Sequence, residues 1–172
     1  MNERRLHFWS HMQHGLLILL LAWLIFTSPW VHLYNRIPPS PSFWVWAHLV
    51  LGLLALVLTL GFLLVIVLQG RLKQYFPWLL GRLGPLWSDL RGLVRLQVPS
   101  NEGPGLFSII KGLLLLALLV TGVTGAMWLW TAGSQDAVAW RGWHIVSARV
   151  LVGMLVAHIL ATLLHLVDFM RQ

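Results

Sequence analysis

The chain has 172 residues, 58% of them hydrophobic and 10% charged, with a formal net charge of +7 and no cysteine. A soluble domain of this length cannot bury that much apolar surface, so an ordinary globular enzyme is excluded. The lack of cysteine excludes disulfides, iron–sulfur clusters and thiolate metal sites, and leaves the redox compartment open.

Four apolar runs are long enough to span about 30 Å of hydrocarbon. The first runs from His14 to Val31, and its helix is expected to begin earlier, near Arg5, giving a span of about 8–33. It does not read as a cleavable signal, because its basic start leads into three histidines and no Ala-x-Ala-like site follows. A loop from Tyr34 to Ser42 contains Pro38, Pro39 and Pro41, which cannot continue a helix. The second span is Phe43–Leu68.

A long basic loop, 69–105, is broken by Pro77, Pro85 and Pro99. Within it, Trp87 to Leu96 alternates apolar and charged residues at helical spacing, which predicts an amphipathic helix lying at the membrane surface. The third apolar run, from Ile109 to Trp130, predicts a span over 106–130. A short loop with Gly133 leads to the fourth run, Gly142 to Phe169, and a span over 141–169. Backbone polar groups in lipid must pair within their own segment, so the spans are helices. The expected fold is an all-α membrane protein, with residues 1–172 forming one four-transmembrane-helix bundle.

The positive charge could suggest nucleic acid, but it lies beside the spans. Arg4, Arg5, Arg71, Lys73, Arg82, Arg91, Arg95, Lys111 and Arg171 fall at one set of span ends, whereas the other two loops carry only Arg36 and Arg141. The positive-inside rule therefore predicts cytoplasmic termini and a cytoplasmic middle loop, and no nucleic-acid partner. Trp30, Trp44, Trp46, Trp128, Trp130, Trp140 and Trp143 gather at the opposite ends, as an interfacial aromatic belt does.

Intramembrane histidines usually mark a site. His144 and His158 lie fourteen residues apart in span four. That is close to four turns, so both rings leave nearly the same face, roughly 21 Å apart along the axis. His48 in span two matches the depth of His144, and His14 in span one matches that of His158. The four imidazoles thus form two tiers, each with ligands from two helices, as two haem irons would require. Gly15, Gly52, Gly153 and Ala161 lie beside these histidines and leave gaps for a porphyrin, although small residues also let bare helices pack. His7, His11 and His14 share one helix face. His14 is the deepest and is the expected ligand, with His11 in reserve. His165 follows His158 by seven residues and could meet a quinone or a haem carboxylate, or have no role. Arg149 sits between the span-four ligands, rotated about 140° from His144, and calls for a haem propionate, a water-filled gap or another subunit.

These residues resemble the four-helix di-haem membrane cytochromes b that include the gamma subunit of formate dehydrogenase and the cytochrome b subunit of nickel–iron hydrogenase. The resemblance rests on His48-Leu49-Val50-Leu51-Gly52, on Trp143-His144 with His158 beyond, and on Thr121-Gly122. Thr27-Ser28 fits the small pair of span one and favours His14. His14 itself lacks the preceding Arg and following Trp usual in that family. Pro99-Ser100-Asn101-Glu102-Gly103 looks like the family's quinone-pocket segment, which implies quinone binding by Asn101 and Gly103; the family's neighbouring Tyr and Gln-Lys are missing.

The resemblance implies two haem b groups, a quinone, membrane lipid and a periplasmic redox subunit of formate dehydrogenase or hydrogenase type as cofactors and partners. It implies a site in the bacterial cytoplasmic (inner) membrane. No nucleophile, catalytic dyad or phosphate loop is present, so the chain reads as an electron-transfer subunit of an oxidoreductase rather than a catalyst by itself. Two rivals stand beside this reading. One is a self-sufficient superoxide:quinone oxidoreductase, for which Arg36 and Arg141 make a poor positive funnel. The other is a haem-free membrane anchor, which leaves the matched histidine depths a coincidence.

Overall fold

A computed structural model describes residues 3–81, 84–95 and 105–171. Most of these residues are helical, and there is no strand among them. The helices are α1 (Glu3–Thr27), α2 (Phe43–Leu68), a short α3 (Leu72–Tyr75), α4 (Gly84–Val94), α5 (Leu106–Trp130) and α6 (Asp136–Arg171). Four segments are long and apolar enough to cross a membrane: His7–Trp30, Phe43–Leu68, Leu106–Trp130 and Asp136–Val167. The protein is a four-helix transmembrane bundle, as its sequence predicts.

Two span ends differ from the sequence expectation. α1 stops at Thr27, and a 3-10 turn, Ser28–Trp30, replaces the helix expected to reach 33. Pro29 explains this, because a proline offers no N–H and its ring would strike the carbonyl of Ile25. α6 begins at Asp136, five residues before the expected start at 141. Asp136 is polar and so lowers the apparent hydropathy, but a carboxylate in the first turn suits the positive end of a helix. At 36 residues α6 is about 54 Å long, well beyond a hydrocarbon core of about 30 Å.

The loops are built into the bundle. Ser42 caps α2 by accepting a hydrogen bond from the Val45 N–H at 3.4 Å. Three successive carbonyls of the first loop are held by the far end of the molecule. Leu33 O accepts from Arg141 Nε at 2.6 Å, Tyr34 O from Trp128 Nε1 at 2.9 Å, and Asn35 O from Gly133 N at 2.7 Å. Gly133 has φ +94, a backbone region that favours glycine.

On the other side of the bundle, the segment after α2 turns inward. Phe76 is buried in a core cluster with Leu17, Leu21, Phe62, Ile66, Leu115, Leu118 and Leu151, and Tyr75 and Trp78 pack against it. Gly112 lets this segment approach α5, since a Cβ there would strike the Tyr75 carbonyl. The expected amphipathic helix is present as α4, starting three residues earlier than Trp87. Its Asp89 caps α5, with Oδ2 accepting from Leu106 N at 2.7 Å. Burial raises the Tyr75 hydroxyl above its ordinary pKa, with the nearby Arg71 opposing, so the phenol is neutral at physiological pH.

α6 packs mainly along α5, α1 against α2, and α2 against α5. Thr124 and Ser147 share a hydrogen bond of 3.2 Å across the α5–α6 seam. The helices carrying the paired histidines, α2 with α6 and α1 with α6, are not closely packed backbone to backbone. That spacing creates the gaps in which the histidines lie.

Candidate functional site

His48 on α2 and His144 on α6 face one another across the first gap. Their ring centres are 6.3 Å apart and the ring planes stand at 89°. Two imidazoles bound to one metal at about 2 Å each place their ring centres about 6 Å apart, so the observed separation fits a shared iron. The neighbouring backbone fixes His144. Its Nδ1 lies 2.9 Å from the Thr121 carbonyl, which can only accept, so Nδ1 carries the proton and Nε2 keeps its lone pair. Metal-bound histidines are commonly oriented through such a bond. Gly125 makes the close approach of α5 possible, since a Cβ there would stand 3.1 Å from the His144 ring.

A cavity of about 600 Å³ opens between these rings. Apolar side chains, leucines above all, make up most of its wall, which also includes Gly52, Gly122 and Gly125, and Thr121, Arg141 and Arg149 are its polar side chains beside the two histidines and Ser28. A Cβ at Gly52 would meet nothing within 4 Å, so this wall is open by a side chain's depth. His48 Nδ1 is buried without a hydrogen-bond partner. An unpaired polar atom in an apolar wall is costly, and a bound polar group or metal offsets that cost. The cavity size, the orphaned nitrogen and the ring separation all fit a haem.

The second tier is more open. His14 is exposed, and its ring lies 6.2 Å from that of Phe62. His158 on α6 is half-buried and within electrostatic reach of His14 and Lys111. The two rings make no contact with each other. Gly15 and Gly153 face open space. His11 turns toward His7, with ring centres 4.5 Å apart, which leaves His14 the better placed of the two span-one candidates. His165 packs on Phe107 at 5.0 Å, and its Nδ1 is buried without a partner. Asn101 and Gly103, the other quinone candidates, lie outside the described residues. His32 is an exposed loop residue whose Nδ1 lies 3.2 Å from the Trp30 carbonyl.

The family model for prokaryotic cytochrome b561 matches residues 5–168. The chain belongs to the prokaryotic cytochrome b561 family. It is therefore a multi-pass membrane cytochrome b, a haem b electron-transfer protein of a prokaryote. No curated protein and no solved structure matches it.

Two features of this cytochrome were not read from its sequence. One is the strap of Leu33, Tyr34 and Asn35 over the His48–His144 end. Its bonds run to backbone carbonyls, which every residue has, so no residue pattern announces them. The other is the inward-turned Tyr75-Phe76-Pro77-Trp78. Four consecutive non-charged residues, three of them aromatic, inside a basic loop were the available signal.

Proposed function

We propose that this cytochrome b holds two haems, one between His48 and His144 and one between His14 and His158, and carries electrons across the membrane between a redox partner and quinone. The observation that carries the proposal is the facing of the His48 and His144 rings across a gap between helices that do not otherwise pack. Haem b, when bound, supplies a reversible one-electron couple at each tier. The chain supplies the rest. His144 is held in one tautomer by the Thr121 carbonyl, the apolar walls exclude water, and α6 fixes the spacing of the tiers at roughly 21 Å between ligand positions.

In this reading the chain termini and the 69–105 loop face the cytoplasm of a bacterial inner membrane, in keeping with their positive charge. The His48–His144 tier then lies near the periplasmic side, where a subunit of formate dehydrogenase or hydrogenase type would exchange electrons. Quinone would react near the other tier, with His165, Asn101 and Gly103 as its candidate contacts. The position of Arg141 favours this subunit reading over a self-sufficient superoxide oxidoreductase. Its guanidinium is drawn inward by Leu33 O and lies 5.7 Å from the Tyr34 ring centre, so it does little to form a positive funnel.

Haem content tests the proposal. The purified protein should carry about two haems per chain, and His48→Ala and His158→Ala should each retain about one. Full haem content in both variants would overturn the ligand assignment, and no haem at all in the folded wild type would overturn the two-tier reading.

A further inference from the structure

Arg149 is the one charge on α6 at mid-membrane depth. It lies five residues beyond His144 and nine before His158, and it lines the same cavity as His48, His144 and Arg141. Among the described residues Arg149 has neither a hydrogen bond nor an ion pair, although a guanidinium offers five N–H donors. The acids of its own helix are remote: Asp136 is thirteen residues away and Asp168 nineteen, or about 20 Å and about 28 Å along the axis. A bare cation at this depth is costly, so such residues are normally paired or face a polar cavity.

The charge balance of the cavity points to the partner. Its wall carries two guanidiniums and no carboxylate. Haem b brings two carboxylates and no compensating cation at its periphery. Direction agrees as well. Side chains on a helix lean toward its N-terminus, so Arg149 reaches back toward the level of His144. Arg141 uses Nε on the Leu33 carbonyl, which leaves its terminal nitrogens for another acceptor. Arginine suits this task because its planar fork matches a carboxylate.

We propose that Arg149, together with Arg141, binds the carboxylates of the haem held between His48 and His144 and thereby raises that haem's reduction potential. The inference rests on the reading of His48 and His144 as its ligands. Arg149 is a positioning residue here, since it acts on the periphery of the group and not on the metal. Desolvated carboxylates favour the more positive, oxidised iron, and pairing them with the Arg149 guanidinium cancels that effect, so Arg149 acts on the potential through the carboxylates.

Redox titration of the purified haem-loaded protein tests this. Arg149→Gln should keep both haems and lower one of the two transitions by about tenfold in the reduction equilibrium, ~59 mV for a one-electron couple. Arg149→Lys, which keeps the charge, should stay near wild type. Reconstitution with the dimethyl ester of the same porphyrin removes the carboxylate charges, and with it wild type and Arg149→Gln should coincide. Unmoved transitions in Arg149→Gln, or an equal shift with haem and with its diester, would overturn the inference. If Arg149→Gln cannot be loaded, the wild type decides: it should hold the diester more weakly than haem b at this tier, and equal retention counts against the proposal. These failures are distinct from a failure of the ligand reading, which would show as undiminished haem content in His48→Ala.

Discussion

The two histidine tiers of this cytochrome b are built differently. At the tier of His48 and His144 the rings already stand 6.3 Å apart, one of them locked to the Thr121 carbonyl, beneath a loop whose three consecutive carbonyls are tied down. At the tier of His14 and His158, α1 leans on α2 and away from α6, the His14 ring rests near Phe62, and the glycines beside both histidines face open space. The first tier is preorganised by hydrogen bonds that exist without any bound group. The second depends on whatever spans the gap between α1 and α6. Preorganisation lowers the cost of binding, so the haem of the first tier should bind more tightly and survive mild denaturation longer.

The comparison can be broken at several points. The largest effect is expected from removing ligands at the open tier. His14→Ala should cost one haem outright, whereas His11→Ala should leave both in place, as measured by haem content after purification. Loss of haem in His11→Ala with retention in His14→Ala would exchange the two roles. The next effect sharpens the contrast between glycines. Gly125→Val would push the His144 ring from its seat, since even a Cβ would stand 3.1 Å from it, and haem affinity at that tier should fall 10–100-fold, the usual scale for disturbing a ligand's orienting shell. Gly153→Ala introduces a Cβ that meets nothing and should leave haem content unchanged. The smallest effect tests the strap. Trp128→Phe removes the hydrogen bond to Tyr34 O and should cost about 1 kcal/mol of stability. It should also speed haem loss from the first tier and not from the second.

Much of this architecture was legible in the sequence because lipid imposes simple rules. Long apolar runs gave the four spans, and depth counted from their ends paired His48 with His144. The amphipathic pattern around Trp87 gave α4. Other features resisted for physical reasons. The end of α1 is set by Pro29, a single backbone effect inside an otherwise apolar run. The start of α6 lies in polar residues that hydropathy discounts. The strap and the Thr121–His144 bond use main-chain carbonyls. Arg149 could be recognised as anomalous from its position, but only the three-dimensional cavity showed that it shares a wall with the histidine pair. The depth match of His14 and His158 is legible in their spacing, yet the openness of that tier follows from how α1 packs, which no spacing encodes.

The central claim, that His48 and His144 serve the same iron, is tested most directly by comparing haem content in His48→Ala, His144→Ala and the double variant. If the two imidazoles are ligands of one haem, each single variant retains about one haem per chain and the double variant retains the same. A double variant that loses both haems, while each single variant loses one, would mean that the two residues hold different groups and would contradict the account.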